Sequence, residues 1–345
     1  MLSPQSQLIL RNLADLSGKV LLVEPMMDDI VRELTQANSE LEVFGYTSDK
    51  RVADHWQAIS TAPCLFAADM TFTTQFDSVV IYYPKSKDQL AYTLAQLAPV
   101  LTVDTTVYLV GDNKGGIKSL ANHAVKLGLT AHKLDNAKHC LWFALNDLYS
   151  KPLPLIKMQQ FSCQLPATVG VTQLNFCSLP GVFNFGKLDS GTALLLEHLS
   201  HIQQGKVLDF ACGAGIVGAV LLKRQPALTL YCSDVSALAV ASTQATLALN
   251  QLNATVIAAD GLAMQTPLFD HIVSNPPFHT GLKTDYSTAQ QFIDESKAKL
   301  ASKGTLTIVA NAHLPYAEWL KAAFGNVKEL ARKQGFVVYF CQKVS

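Results

Sequence analysis

The stretch Lys206-Val-Leu-Asp209-Phe-Ala-Cys-Gly213-Ala-Gly215-Ile-Val-Gly218 decides the fold of this 345-residue chain. It reads as an apolar strand that passes through a glycine-rich turn into a helix. Gly213 and Gly215 allow a tight turn and a close approach of the backbone to a ligand, and Gly218 allows the helix to pack near the strand. Taken alone the pattern is weak, because it suits a dinucleotide pyrophosphate at a helix N-terminus equally well.

Two acidic residues argue against a dinucleotide. Asp209 lies in the approach to the turn, where it would repel a pyrophosphate and attract an ammonium group. Asp234 ends the next apolar run, residues 228–234, at the usual position of an acid that binds ribose hydroxyls. The alternative for Asp234 is a helix cap, in which Asp234-Val-Ser opens the next helix.

Further polar residues follow later apolar runs of the second half. Asp260 and Gly261 come after residues 254–259, and Asn275 comes after residues 269–274. Alternating strand and helix patterns predict a parallel sheet with helices on both faces. Because parallel strands end at one crevice, we expect six residues to converge there: Asp209, Gly213, Gly215, Asp234, Asp260 and Asn275.

The tetrapeptide Asn275-Pro276-Pro277-Phe278 closes the last of these strands. Two prolines at a strand end remove donors and stiffen the backbone. The Asn275 side chain and the Pro276 carbonyl could accept hydrogen bonds from both N–H groups of a planar amino group. Phe278 could stack on the face of the planar group that carries this NH2. For the tetrapeptide alone an ordinary turn is the alternative. The chemistry favours a base or an amide that carries an NH2 group.

The chain contains the same plan twice. Residues 18–23, 76–84 and 107–112 match residues 205–210, 269–277 and 306–311 in the same order. We infer an internal duplication. Lys151-Pro-Leu-Pro within residues 151–158 predicts a linker between a first domain, residues 1–150, and a second domain, residues 159–345.

Composition limits the class of protein. Hydrophobic residues make up 49% of the chain, which excludes disorder, and no apolar run approaches the length of a membrane span. We also find no signal-peptide pattern. Seven cysteines without a C-x-x-C pair predict reduced thiols in a cytoplasmic protein. The 27 basic and 27 acidic side chains give no net charge, which argues against non-specific coating of nucleic acid.

Several segments together resemble the small-subunit methyltransferase C family of ribosomal RNA guanine-N2 methyltransferases, which are class I S-adenosylmethionine-dependent enzymes. The matching segments in the second half are Leu179-Pro-Gly-Val-Phe183, Leu188-Asp189-x-Gly191, Asp234-Val-Ser-Ala237, Ile272-Val-Ser-Asn-Pro-Pro-Phe-His-Thr-Gly281 and Ile308-Val-Ala-Asn-Ala312. Residues 81–85 and 111–119 match in the first half. In one departure, Asn184 stands where the family pattern has a serine, which bears on how this segment meets the cofactor.

The resemblance implies an α/β fold of two tandem Rossmann-like methyltransferase domains, each a parallel sheet with an antiparallel terminal strand. It implies S-adenosyl-L-methionine as cofactor and 16S rRNA within the small ribosomal subunit as partner, with no metal and no membrane; we expect a monomer. The expected cofactor-binding residues are Asp209, Ala211, Gly213, Gly215, Asp234, Val235, Asp260, Gly261 and Asn275. The expected catalytic residues are Asn275, Pro276, Pro277 and Phe278. The expected substrate-binding residues are Phe278, His279, Lys283, Lys85 and Lys114.

The first copy of the duplicated plan has lost these groups. Leu22-Val-Glu-Pro replaces the glycine turn, and Tyr82 and Lys85 stand where the second copy has Asn275 and Phe278. We therefore predict a non-catalytic first domain that either supports the second by packing or grips RNA. Lysines at its predicted strand ends favour the RNA grip: Lys85, Lys114 and Lys118.

The residues alone leave other functions open. A protein-glutamine methyltransferase is one alternative, because a glutamine side chain presents the same NH2 group. An adenine-N6 methyltransferase is the alternative with the most similar chemistry. A large-subunit rRNA guanine-N2 methyltransferase is a third, because such enzymes share the Asn275–Phe278 loop. A catalytically silent RNA-binding or assembly factor is a different class, which describes the first domain better than the second. His279 is either a proton acceptor or part of the pocket wall. Asp189 is either a helix cap or a cofactor contact.

Overall fold

The computed structural model describes residues 1–262, 267–276 and 283–344, with the backbone alone for residues 283–286. It divides the chain into two compact units, Met1–Lys157 and Met158–Ser345. Each unit contains a seven-stranded, mostly parallel sheet with antiparallel terminal strands. The predicted fold of two tandem Rossmann-like domains is confirmed.

The first unit alternates strands and helices in its described residues. Its strands are β1 (Lys19–Val23), β2 (Glu42–Thr47), β3 (Cys64–Phe66), β4 (Ser78–Tyr82), β5 (Thr106–Asp112), β6 (Thr130–Ala137) and β7 (Cys140–Asn146). Its helices are α1 (Pro4–Arg11), α2 (Ile30–Ala37), α3 (Lys50–Ile59), α4 (Lys87–Ala95) and α5 (Leu120–Lys126). Short 3-10 turns lie at Leu13–Asp15, Ala98–Val100, Asn113–Gly115 and Ile117–Ser119.

The second unit repeats this plan after an added hairpin. Its strands are β8 (Gln159–Gln164), β9 (Gln173–Ser178), β10 (Lys206–Phe210), β11 (Thr229–Asp234), β12 (Thr255–Ala258), β13 (Phe269–Ser274), β14 (Leu300–Asn311), β15 (Lys328–Lys333) and β16 (Phe336–Gln342). Its helices are α6 (Ser190–Leu196), α7 (Ile216–Arg224), α8 (Ala237–Leu249), α9 (Lys283–Lys299) and α10 (Tyr316–Phe324). A 3-10 turn lies at Ala167–Val169 between β8 and β9, which pair antiparallel.

The two seven-stranded sheets have the same strand order. The orders are β3-β2-β1-β4-β5-β7-β6 and β12-β11-β10-β13-β14-β16-β15. In each sheet the order of the chain reverses beside the first strand, between β1 and β4 and between β10 and β13. Open α/β sheets bind ligands outside the carboxyl ends of the strands at such a reversal. The topology therefore directs attention to the ends of β10 and β13.

One hydrogen bond that joins the central strands occurs in both units. The Lys19 backbone N–H donates to Asp77 Oδ2 at 2.7 Å, and the Lys206 N–H donates to Asp270 Oδ2 at 2.7 Å. A glycine with positive φ precedes each lysine, Gly18 at 55° and Gly205 at 96°. The conserved arrangement within one chain supports the internal duplication.

Burial explains why the central strands are almost wholly apolar. In the first unit Leu21 and Val23 of β1 pack in one core, while Val20 and Leu22 pack in a second core. Successive strand side chains point to opposite faces, so a strand covered on both sides needs apolar residues throughout. The same reasoning makes Asp209 in β10 exceptional, since it is a carboxylic acid with 2% of its surface exposed.

Candidate active site

A cavity of about 390 Å³ lies in the second unit beside the turn that follows β10. Its lining residues are Gly181, Val182, Phe183, Asn184, Lys187, Asp189, Thr192, Asp209, Ala211, Cys212, Gly213, Ala214, Ile216, Val217, Asp234, Val235, Ser236, Ala239 and Asn275. Most are apolar, with a few convergent polar groups, which is typical of a small-molecule site. The cavity lies at the sheet reversal that the topology indicates.

The backbone turn between β10 and α7 adopts left-handed conformations. Ala211 has φ 57°, Gly213 has φ 56° and Gly215 has φ 74°. A Cβ on Gly215 would stand 2.9 Å from Thr243 Cγ2, whereas a Cβ on Gly213 would meet nothing within 4 Å. Gly215 therefore allows the turn to pack on α8, and it lies beside the cavity lining. Gly213 belongs to the lining itself.

Two carboxylates lie at the bottom of this turn and bind its backbone. Asp209 Oδ2 accepts a hydrogen bond from the Gly218 N–H at 2.9 Å. Asp234 Oδ2 accepts from the Gly213 N–H at 3.0 Å, and its Oδ1 accepts from the Ser236 N–H at 2.9 Å. The N-cap of α8 is Ser236. Asp234 is thus not the helix cap that one interpretation of the sequence suggested, and it lines the cavity.

Burial raises the pKa of the Asp209 carboxyl from 3.8 to about 7. The negative charge of Asp234 raises it further in the same direction, and the hydrogen bond from Gly218 opposes the rise. Desolvation disfavours the charged form of a carboxylic acid, which is the physical cause. A cationic ligand in the cavity would favour the ionised form.

This pKa predicts a pH dependence of stability. An unfolded Asp ionises near its ordinary pKa, so between about pH 4 and pH 7 the folded chain retains a proton that the unfolded chain has released. The free energy of unfolding therefore falls as the pH rises through that window, by an amount on the order of 4 kcal/mol from this group, and the loss is complete above pH 7.

Thermal unfolding at pH 5 and pH 8 measures this effect in the unliganded chain. We expect Asp209→Asn to remove most of the pH-dependent difference in Tm, since the amide does not titrate. The exposed Asp260→Asn serves as the matched control and retains the difference. Equal pH dependence in the wild type and in Asp209→Asn would contradict the assignment.

Asn275 is held at the end of β13 by a polar network. Its Nδ2 donates to Asp189 Oδ2 at 3.0 Å and to Thr192 Oγ1 at 2.9 Å. Asp189 also caps α6 by accepting from the Thr192 N–H at 3.0 Å. An ionised carboxylate only accepts hydrogen bonds, so the nitrogen of the Asn275 amide must face Asp189. The amide oxygen consequently points away from Asp189.

The segment that precedes Asp189 forms one wall of the cavity. It follows β9, whose end is anchored by a hydrogen bond of 3.0 Å from the Leu179 N–H to Ser242 Oγ. Phe183 lines the cavity with 61% of its surface exposed. Asn184 has φ 49°, and its Nδ2 donates to Asp189 Oδ1 at 2.9 Å. The asparagine that departs from the family pattern thus belongs to the Asp189 network.

The other predicted site residues of the second unit lie in several places. Val235 lines the cavity, and Pro276 is buried directly after Asn275. Asp260 is exposed, Gly261 has φ 67°, and neither belongs to the cavity lining. Pro277, Phe278 and His279 lie outside the described residues. Lys283 begins α9, and its side chain is not described.

In the first unit, Glu24 occupies the position after β1 that Ala211 occupies after β10, and its φ is likewise positive at 52°. The Glu24 carboxylate accepts from the Ser48 hydroxyl at 2.6 Å and from the Thr47 hydroxyl at 3.2 Å. Burial raises the pKa of this carboxyl. A glutamate side chain thus extends across the end of β2, where the second unit has Asp234.

The predicted lysines of the first unit are on its surface. Lys85 is exposed and borders a cleft of about 230 Å³ that also contains Tyr82 and Glu24. Lys114 is exposed in the 3-10 turn after β5.

No helix among the described residues combines the length and apolarity needed to span a bilayer. In the same residues, no three His, Cys, Asp or Glu side chains gather in a metal-binding cluster.

Sequence reasoning missed Thr192 and the contact of Asn184. The signal for Thr192 was present, because Asp189-Ser-Gly-Thr192 is a capping pattern in which the fourth residue donates its backbone N–H to the cap. The pattern gave no indication that the threonine hydroxyl also accepts from Asn275. That contact joins residues separated by 83 positions in the chain.

Comparisons with known proteins show the family to which this chain belongs. The family model Methyltransferase small domain matches residues 173–340, and the model Methyltransferase small domain N-terminal matches residues 6–162. Ribosomal RNA small subunit methyltransferase C of Shewanella sp. (strain MR-4) is 39% identical over 344 residues, which cover 99% of this chain and 100% of that protein. The protein of the same name from Pseudoalteromonas translucida (strain TAC 125) is 38% identical and covers 98% of each chain.

A solved structure shows the same fold over nearly the whole chain. The T. Thermophilus 16S rRNA N2 methyltransferase, in complex with AdoMet and guanosine, superposes with a TM-score of 0.83. It is 23% identical in sequence, and the match covers 99% of this chain and 92% of that one. The resemblance inferred from the sequence motifs is confirmed by the full-length relatives. The chain belongs to the ribosomal RNA small subunit methyltransferase C family.

Proposed function

We propose that this chain uses S-adenosyl-L-methionine to methylate the exocyclic N2 of a guanine in 16S rRNA. The observation that carries the proposal is the Asn275 carboxamide, which Asp189 and Thr192 hold at a cavity that also contains the carboxylates of Asp209 and Asp234. The names of the full-length relatives support the substrate. We place the reaction in the cytoplasm, on the small ribosomal subunit, with a monomeric enzyme.

The cavity residues fit this cofactor. S-adenosyl-L-methionine supplies a methyl group on a positively charged sulfur. Asp209 lies where a carboxylate attracts a cationic amino acid group, and Asp234 is placed to accept hydrogen bonds from ribose hydroxyls. Val217, Val235 and Ala239 provide apolar surface for a purine ring.

The remaining cofactor contacts belong to the turns. The left-handed Ala211, Gly213 and Gly215 bring the backbone close to the ligand. Asp260 and Gly261 follow β12 in the chain. Since β12 runs parallel to β11, the two strands end at the same edge of the sheet. We assign to Asp260 an interaction with the amino group of the purine ring.

Guanine N2 is a poor nucleophile because its lone pair is delocalised into the ring. The Asn275 Oδ1 and the Pro276 carbonyl oxygen accept hydrogen bonds from the two N–H groups of the guanine amino group. These hydrogen bonds offset the positive charge that grows on N2 and draw N2 toward tetrahedral geometry. The same hydrogen bonds hold N2 in line with the bond between the methyl group and the sulfur, so positioning supplies much of the rate of methyl transfer. No strong base is required, since the nitrogen becomes acidic once it is methylated.

The proposal assigns further residues to the substrate site from the sequence alone. In the tetrapeptide that begins at Asn275, Phe278 is assigned to stack on a guanine that has left its helical stack. His279 is assigned to the wall of the substrate pocket. Lys283, together with Lys85 and Lys114 of the first unit, contacts the RNA backbone.

Transfer of a labelled methyl group tests this function. Isolated small subunits, large subunits and their naked rRNAs are incubated with labelled S-adenosyl-L-methionine, and the product nucleoside is identified. We expect N2-methylguanosine in small-subunit rRNA. Label in large-subunit rRNA alone would show that large-subunit rRNA is the substrate. Label in adenosine would show that the target base is adenine. The absence of label from every RNA, with cofactor binding intact, would bring back the protein-glutamine hypothesis.

A cofactor-binding prediction concerns Asp234 and Asp260. We expect Asp234→Ala to raise the Kd for S-adenosyl-L-methionine about ten- to a hundredfold, because a hydrogen bond to a charged group contributes roughly 1.5–3 kcal/mol. Asp260→Ala should raise it by only about two- to threefold, since solvent screens an exposed carboxylate. Calorimetric titration measures both constants. An unchanged Kd in Asp234→Ala would remove this residue from the cofactor site.

A further inference from the structure

A cleft of about 440 Å³ lies in the first unit, where β5 ends and the β6–β7 hairpin turns. It is separate from the residues that line the candidate active site. Its lining residues are Asn113, Lys118, Lys133, Asn136, Ala137, Lys138, His139, Cys140 and Leu141. The proposed reaction assigns no role to this cleft, and of its lining residues only Lys118 was predicted from the sequence to grip RNA.

The cleft concentrates positive charge without compensating acids. Lys118, Lys133 and Lys138 are exposed, and none of the lining residues is acidic. Within the described part of the chain, no carboxylate lies within ion-pair distance of these three ammonium groups. Lys133 Nζ donates to Asn136 Oδ1 at 3.5 Å, and Lys138 Nζ donates to Gln7 Oε1. Both partners are neutral amide oxygens, so neither hydrogen bond neutralises an ammonium charge.

This concentration runs against the overall charge of the unit. Met1–Lys157 contains 14 Lys and Arg and 16 Asp and Glu, which gives 14 − 16 = −2. An acidic unit has no general excess of lysine from which such a cluster would follow. Neighbouring ammonium groups repel one another, and an anion bound among them relieves the repulsion.

The backbone of the hairpin turn supports a functional origin for the cluster. Lys138 and His139 form the two-residue loop between β6 and β7, and both have positive φ, 48° and 63°. Such turns strongly favour Asn-Gly, because other residues are strained in this conformation by roughly 1 kcal/mol each. The His139 carbonyl accepts from the Asn113 N–H at 2.8 Å, which fixes the turn to the end of β5. A strained turn that presents two basic residues to one cleft indicates a binding role.

Asn113 adds a neutral polar group to the same cleft. Its Oδ1 is buried and has no hydrogen-bond partner among the residues that the structure describes. A buried polar atom without a partner costs free energy unless a ligand or water satisfies it. If rotation of the Asn113 side chain brings this oxygen to the cleft, a hydroxyl group can donate to it, and the ribose 2′-hydroxyl distinguishes RNA from DNA in this way.

We propose that this cleft binds the ribose–phosphate backbone of RNA. Lys118, Lys133 and Lys138 contact phosphates, and Asn113 accepts a hydrogen bond from a 2′-hydroxyl. The inference rests on the proposed function, since it gives the rRNA substrate an attachment point on the non-catalytic unit. It extends the RNA grip expected from Lys85, Lys114 and Lys118 to Lys133, Lys138 and Asn113, which the fold brings to the same cleft as Lys118.

Equilibrium binding of a labelled RNA oligonucleotide to the full chain tests the inference, measured over a range of salt concentrations. The cleft variant carries Lys118→Gln, Lys133→Gln and Lys138→Gln. We expect a loss of affinity on the order of tenfold and a reduction of about 2 in the slope of log affinity against log salt, because each of the three phosphate contacts contributes about 0.7 to that slope for a single-stranded oligonucleotide.

The matched control variant removes three exposed cations of the same unit that do not line the cleft. It carries Arg32→Gln, Arg51→Gln and Lys126→Gln. Both variants change the net charge by the same amount, so a difference between them reports on position and not on total charge. We expect this control to bind RNA as the wild type does, because its three substitutions lie outside the cleft. Equal losses in the two variants, or no loss in either, would overturn the proposal.

The contribution of Asn113 is measured with a DNA oligonucleotide of matched sequence. We expect the wild type to prefer RNA and Asn113→Ala to reduce that preference. Polyglutamate that competes as well as RNA would show a general polyanion site and overturn the assignment to RNA. Methyl transfer is recorded separately: the cleft variant should have a higher KM for rRNA and an unchanged kcat. Failure of the wild type to methylate any RNA would reject the proposed function itself.

Discussion

Asn275→Ala is expected to lower kcat for methyl transfer about 10²–10³-fold, the range observed when an enzyme loses one polar group that stabilises charge in the transition state. The amide oxygen of Asn275 accepts from guanine N2 in the proposed mechanism, and alanine offers no acceptor. The Kd for S-adenosyl-L-methionine should change less than tenfold, because Asp209 and Asp234 remain in place. Single-turnover transfer to small-subunit rRNA measures the rate of the chemical step.

The matched control for this variant is Asn253→Ala, which removes an exposed asparagine between α8 and β12. It should leave both kcat and the Kd for the cofactor unchanged. A fall of less than tenfold in the rate of Asn275→Ala would show that Asn275 does not act on the amino group. A parallel loss of cofactor binding and rate would instead assign Asn275 to cofactor binding alone.

Asp189→Asn is expected to lower kcat roughly a hundredfold through its effect on Asn275. The carboxylate accepts from Asn275 Nδ2 and so fixes which end of the amide faces the substrate. An asparagine at position 189 can also donate, which allows the Asn275 amide to rotate and present its nitrogen. Misplacement of a reacting group by about 1 Å costs on the order of 10²-fold in rate.

The same variant separates this positioning role from the role of Asp189 in the helix. Asparagine and aspartate are equally good N-caps, so α6 should keep its stability and Tm should change little. Asp189→Ala should lose the same factor in kcat and, in addition, about 1 kcal/mol of stability. An Asp189→Asn enzyme with wild-type kcat at saturating cofactor and rRNA would contradict the positioning role.

Much of the fold could be predicted because its signals are local. The strand and glycine turn at residues 206–218 are encoded by hydrophobic period and by residues that tolerate positive φ. The repeated order of short motifs predicted two similar sheets, and the strand order confirms it. The resemblance implied an antiparallel terminal strand in each domain, and in the second unit β16, Phe336–Gln342, pairs antiparallel with β14.

The candidate site could be predicted only in part. The sequence placed Asp209, Asp234 and Asn275 at the ends of separate parallel strands, and topology alone brings such ends together. The sequence did not indicate that Asp234 binds the turn at Gly213 or that Asp260 stays exposed. Those details depend on side-chain packing at the edge of the sheet, which has no periodic signal.

The sequence by itself determined the fold class, the duplication and the glycine turn, since short local motifs and their repeated order encode them. Only the tertiary structure decided how the Asn275 amide is oriented. Its partner Asp189 lies 86 residues earlier in the chain, and the two meet because α6 starts beside the end of β13. The lysine cleft of the first unit has the same origin, since pairing of β5, β6 and β7 gathers charges that are scattered in the sequence. Contacts between distant residues depend on how elements pack, and a local pattern does not encode that packing.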